Sequence, residues 1–149
     1  MKVFDTARDV LKAKGQNVWA IDPESTVYQA IEIMSDKHVG ALLVMRDQKL
    51  MGVISERDYA RKVILKGRSS KETLVKEIMT APAIFVEPGQ TVSECMVIMT
   101  NNRIRHLPIV EQENVVGIVS IGDLVNWIIS TQEHTIQQLQ DYIIGKYPA

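Results

Sequence analysis

The sequence predicts an α+β fold: two pseudo-symmetric β-α-β-β-α repeats packed together, with extra helices at the N- and C-termini. Three observations carry this expectation. The first is an ungapped internal repeat. Displaced by 65 positions, "DPESTVYQAIEIMSDKHVGALLVM" lies over "EPGQTVSECMVIMTNNRIRHLPIV". Pro23 meets Pro88, Thr26 meets Thr91, Val27 meets Val92, Leu42 meets Leu107 and Gly52 meets Gly117. The second is that strand-like runs give way to helical spacing at the same places in both halves. The third is size. A unit of about 45 residues buries too little apolar surface to stand alone, so two units are expected to share one core.

The expected boundaries are an N-terminal helix over 1–16, a first unit over 17–66, a linker helix within 67–80, a second unit over 81–130, and a C-terminal helix and tail over 131–149. In "TARDVLKAKG", Thr6 caps the first helix and Gly15 stops it. "VWAI" (18–21) and "AIFV" (83–86) are short β-type runs, each ended by an acid-Pro turn. Thr26 and Thr91 cap the helices that follow. Val27, Ala30, Ile31 and Met34 fall at helical spacing, as do Val92, Cys95, Met96 and Met99. "ALLVM" and "HLPIV" read as buried strands. The turns "RDQK" and "EQEN" lead from them into "LMGVIS" and "VVGIVS", giving two β-hairpins. Ser55 and Ser120 open helices near 56–66 and 121–130. A short helix is expected at 71–79. Ile136, Leu139 and Ile143 line one face of a separate C-terminal helix, which must pack on its own chain or on a second copy.

Bulk properties exclude several classes. The chain has 149 residues and 46% hydrophobic content, which argues against disorder. Its longest apolar runs are about five residues, far short of a transmembrane helix. The N-terminus has no apolar signal core, so a cytoplasmic location is expected. Net charge is −1, so no global field attracts nucleic acid or an anionic membrane. Basic residues do cluster at Arg57, Arg61, Lys62, Lys66, Arg68 and Lys71, and at Arg103 and Arg105. Such a cluster is ordinarily a solvated face, yet it also has room for a small anion. Cys95 reads as a buried structural thiol. One cysteine and the scattered His38, His106 and His134 form no metal constellation. Met34, Met45, Met51, Met79, Met96 and Met99 read as core filler. Trp19, Trp127 and Tyr142 lie near unit edges, where packing at a dimer interface is favoured over base stacking.

One motif occurs twice: "GVISERDY" from Gly52 to Tyr59, and "GIVSIGDL" from Gly117 to Leu124. Ser with Asp three residues later is a capping box, worth roughly 1 kcal/mol without any ligand. The same pair also places a hydroxyl and a carboxylate at a helix N-terminus, where one carboxylate can accept both hydroxyls of a ribose. The two uses compete for the same aspartate.

Two β-α-β-β-α units, each ending in Gly-apolar-apolar-Ser-x-x-Asp, resemble tandem cystathionine β-synthase (CBS) domains paired as a Bateman module. The resemblance covers about residues 17–130. "ISERDYARKV", "GRSS", "EIMT" and "RIRHLPIV" are similar to short stand-alone bacterial members. The resemblance implies a regulatory module that binds an adenine nucleotide (AMP, ADP, ATP, NAD(H) or S-adenosylmethionine) in two clefts between the units. It implies sensing of energy or redox state, no catalysis and no catalytic cofactor, a homodimer formed through the CBS pairs and terminal helices, and a downstream protein. One cleft would combine Ser120, Gly122 and Asp123 with Val18, Ala20 and Ile21 and with Val39, Gly40 and Ala41. The other would combine Ser55, Arg57 and Asp58 with Ile84 and Val86 and with Ile104, Arg105 and His106. His106 itself is open between a core position and a phosphate contact. The clefts are expected to differ, because Arg57 stands where Gly122 stands and the second unit supplies more phosphate donors.

Two other functions remain in view. An enzyme would use Asp58 and Asp123 in acid–base roles, but there is no P-loop, no Gly-x-Gly-x-x-Gly opening a helix and no nucleophile–base pair. A nucleic-acid-binding module would use the patch from Arg57 to Lys71, with affinity falling steeply in salt.

Overall fold

The computed structural model describes residues 5–144. Helix α1 (Ala7–Lys14) opens on a complete capping box between Thr6 and Asp9 and stops at Gly15, whose φ of 98° suits glycine. Strand β1 (Ala20–Ile21) precedes α2 (Val27–Lys37), capped reciprocally by Thr26 and Gln29. Strands β2 (Ala41–Arg46) and β3 (Lys49–Ser55) form the first hairpin. Helix α3 (Glu56–Tyr59) runs into a π-helical turn (Ala60–Ile64). After α4 (Val75–Ile78) the pattern recurs in α5 (Val92–Asn102), β4 (His106–Glu111), β5 (Asn114–Ser120) and α6 (Ile121–Ile143).

Both hairpins turn on two residues with positive φ: Asp47 and Gln48 in the first, Gln112 and Glu113 in the second. Both also carry a register shift at the same repeat position, after Val44 and after Ile109. Strand β1 pairs in parallel with β2, giving a three-stranded sheet. The run 83–86 yields only a bridge between Val86 and Ile109, so the second sheet has two strands. The reason is one residue. Leu43 donates its N–H to the Trp19 carbonyl at 3.0 Å, whereas Pro108, at the same repeat position, has no N–H to give.

The core departs from a single shared one. Each unit has its own apolar cluster, completed by a helix that precedes the other unit in sequence. Ala7, Val10 and Leu11 of α1 pack with Val92, Cys95, Met99, Leu107 and Leu124 of the second unit. Val75 and Ile78 of α4 pack with Val27, Ala30, Met34, Leu42 and Ile54 of the first. Backbone bonds repeat the crossing: Val92 N–H donates to the Asp5 carbonyl, and Val75 N–H to the Ser25 carbonyl. Helix α1, expected as an appendage, is therefore part of the second core.

Other expectations also change. The helices expected at 121–130 and beyond 131 are one helix, since no proline or glycine interrupts the chain between Asp123 and Ile143. The linker helix shortens to Val75–Ile78. Met51 is exposed, because it points away from the core in the alternation of β3. Trp127 packs within its own chain, donating its indole N–H to Asp5 at 2.9 Å. The Tyr142 side chain lies outside the described residues.

Candidate functional site

Two cavities open where the motifs of one unit face the helix–strand junction of the other. The larger, about 470 Å³, sets Ser55, Arg57 and Asp58 with Arg61 and Lys62 opposite Arg103, Ile104, Arg105 and His106, with Ile84 beside them. The smaller, about 300 Å³, sets Ser120 and Asp123 opposite His38, Val39, Gly40 and Ala41, with Lys14, Asn17 and Trp19 at its side. Positions related by the repeat line the two walls. Trp19 stands where Ile84 stands, and its larger side chain leaves less space in the smaller cavity.

The same local rules shape both walls. The helices α2 and α5 end on residues in the left-handed conformation, His38 (φ 55°) and Arg103 (φ 54°). The chain turns there into the strand, and the carbonyl of Gly40 or Arg105 accepts the first N–H of the motif helix of its own unit: Glu56 to Gly40 at 3.0 Å and Ile121 to Arg105 at 2.8 Å. These bonds satisfy donors a helix N-terminus otherwise leaves unpaired.

Both Ser-x-x-Asp motifs are capping boxes. Asp58 Oδ2 accepts from the Ser55 N–H at 2.9 Å, and Asp123 Oδ2 accepts from the Ser120 N–H at 2.8 Å. Capping engages one carboxylate oxygen in each case. Asp58 Oδ1 faces Lys62 Nζ at 3.2 Å. Asp123 Oδ2 also receives Lys14 Nζ at 2.6 Å, and among the described residues its Oδ1 has no recorded partner. A carboxylate has about four lone-pair sites, so capping leaves capacity for a ligand.

Charge separates the cavities. Burial pushes the Asp123 carboxyl up, but the Lys14 ammonium and the Ser120 donors outweigh it and hold the carboxyl below its ordinary value. Burial lowers His106, and Lys14 and Arg105 reinforce this against Asp123, so its imidazole is neutral near pH 7. In the larger cavity the charges of Arg61 and Arg105 crowd Arg57 and lower its affinity for its proton. His106 and Gly40 line both cavities.

Of the residues expected at the first cleft, Ser120, Asp123, Val39, Gly40 and Ala41 come together. Val18, Ala20, Ile21 and Gly122 do not line it. Ile21 points into the first core, and Trp19, which precedes strand β1, takes the wall position. At the second cleft Ser55, Arg57, Asp58, Ile84, Ile104, Arg105 and His106 come together. Val86 does not, being wholly buried in the second core. Sequence reasoning missed Lys14, Asn17, Trp19, His38, Arg61, Lys62 and Arg103 as wall residues. The basic cluster signalled three of them; Lys14 is brought in only by the crossing of α1.

Comparison with known proteins agrees with this architecture. The CBS domain family model matches residues 7–65 and 75–130. A relative from Arabidopsis thaliana, the mitochondrial CBS domain-containing protein CBSX3, is 42% identical over 152 residues, covering 95% of this chain and 73% of that protein. A putative signal-transduction protein with CBS domains from Burkholderia ambifaria has a solved structure with 47% identity and a TM-score of 0.82, covering 85% of this chain and 96% of that one. The CBS domain pair of protein MJ0100, solved in complex with 5′-methylthioadenosine and S-adenosyl-L-methionine, shares the fold at 22% identity and a TM-score of 0.76, covering 86% of this chain and 98% of that one. With its duplicated motif, crossed helices and two matched segments, the chain belongs to the CBS-domain family as a tandem pair.

Proposed function

We propose that this chain is a non-catalytic regulatory module that binds adenine nucleotides (AMP, ADP, ATP or NAD(H)) in two unequal clefts. One observation carries the reading: each cleft places a Ser-x-x-Asp carboxylate from one unit across from the helix–strand junction of the other. A ligand there touches both units and biases how they pack, which a downstream protein reads. Carboxylate oxygen for ribose hydroxyls, apolar wall for a base and cationic donors for phosphate are all present in the larger cavity. That the fold accommodates adenosine compounds in a distant CBS pair supports the reading. No described helix is long and apolar enough to cross a membrane.

The exposed face of α6, with Ile129, Ile136, Leu139 and Ile143, is the surface we assign to a second copy in a homodimer. Light scattering on the purified chain checks it, and a monomer at high micromolar concentration argues against it.

Thermal-shift measurement against the four nucleotides tests the ligand. A compound that binds only the folded state raises its stability, by about 2.7 kcal/mol at a hundred times its Kd. If none raises the melting temperature at millimolar concentration, the reading fails.

A further inference from the structure

The seven arginines divide into two groups. Arg8, Arg46 and Arg68 lie outside the cavities, and each is paired with a carboxylate, at 2.9, 2.7 and 2.6 Å. Arg57, Arg61, Arg103 and Arg105 all line the larger cavity, and among the described residues none has an acidic partner. A chain that neutralises its arginines elsewhere leaves four uncompensated around one space. Five basic and two acidic side chains line that cavity, whereas Lys14 and Asp123 of the smaller one neutralise each other.

We infer that the larger cavity takes a ligand carrying a di- or triphosphate, a nucleoside polyphosphate, while the smaller takes at most a monophosphate; this rests on the adenine-nucleotide reading above. Planar guanidiniums match phosphate oxygens two at a time, and several converging forks suit a chain of phosphates better than one. A single phosphate leaves part of the cluster unneutralised. Among the described residues lining the smaller cavity Lys14 is the one lysine or arginine, and recruiting it breaks its bond to Asp123.

Calorimetric titration of the full chain with adenosine, AMP, ADP and ATP, at two salt concentrations, tests the inference. In the larger cavity each added phosphate is expected to tighten binding about tenfold, equivalent to one further charge-assisted hydrogen bond, with the gain shrinking in salt. The double variant Arg57→Gln/Arg105→Gln should collapse the ATP-to-adenosine affinity ratio toward one, and Arg8→Gln, at an arginine outside both cavities, should leave that ratio intact. Melting curves of both variants establish that they fold; if the double variant does not, Arg61→Gln or Arg103→Gln alone should still lower the ratio. Equal affinity for adenosine and ATP, or a ratio that survives in the folded double variant, overturns the inference while leaving adenine binding standing. No binding by any of the four compounds overturns both.

Discussion

Lys14 and Asp123 close one side of the smaller cavity with a 2.6 Å ion pair that ties α1 to the first turn of α6. The pair joins the N-terminal helix to a motif more than a hundred residues away in sequence. It also sets how the smaller site responds to acid.

The Asp123 carboxyl is held below its ordinary value of 3.8 in the fold. Its contribution is complete above that value and is lost as pH falls through the depressed one. Lys14→Met should cost about 1 kcal/mol near neutral pH, as expected of a partly exposed pair. It should also raise the Asp123 pKa, read by NMR titration. An unmoved Asp123 pKa would show that the ion pair is not what holds it down.

His106 is the opposite case. Burial lowers its imidazole below the ordinary 6.5. As pH falls through 6.5 the unfolded chain binds a proton first, so stability drops below that pH until the fold's own lower value is reached. His106→Gln should flatten this part of the profile, measured as the urea midpoint at about pH 7.5 and about pH 5.5. A wild-type slope that persists in the variant contradicts the assignment.

The two repeat-related glycines should respond differently to alanine. A Cβ on Gly52 falls 2.5 Å from the Thr80 carbonyl oxygen, so backbone must move. On Gly117 it meets Leu11 Cδ2 at 2.6 Å, the end of a side chain. Gly52→Ala should cost about 3 kcal/mol and Gly117→Ala about 1–2 kcal/mol by overpacking. Adding Leu11→Ala should make the Gly117→Ala penalty disappear in a double-mutant cycle by chemical denaturation. Strict additivity of the two losses would place the strain elsewhere.

Gly40→Ala separates binding from folding. Its Cβ comes to 3.4 Å from His106 Nε2, ordinary contact that requires no backbone shift. The melting temperature should stay within a few degrees, since such a contact costs under about 1 kcal/mol. Because the new methyl stands on the wall both cavities share, nucleotide affinity should fall about tenfold in each. Unchanged titrations would remove Gly40 from both sites.

Much of this was legible in the sequence because it is local. Thr6, Thr26, Ser55 and Ser120 announce their helices by capping, and the hairpin turns sit where polar pairs interrupt apolar runs. The pairing of each unit's motif with the junction of the other came from the family resemblance that the repeat supports. What was not legible depends on single residues or on crossings. Pro108 removes the hydrogen bond that would have extended the run at 83–86. Trp19 rather than Ala20 faces the cavity, a matter of one step in register. Lys14 and Trp127 reach their partners only because α1 packs on the second unit, a relationship that no local pattern encodes.

That crossing has a consequence for how the chain is divided. Cutting between residues 66 and 67 yields two fragments, each carrying the helix the other needs and lacking its own. Neither can close its apolar face alone, yet two copies of a single half could do so by exchanging helices. The twofold inside this chain is thus the geometry of a domain-swapped dimer whose halves have been joined end to end.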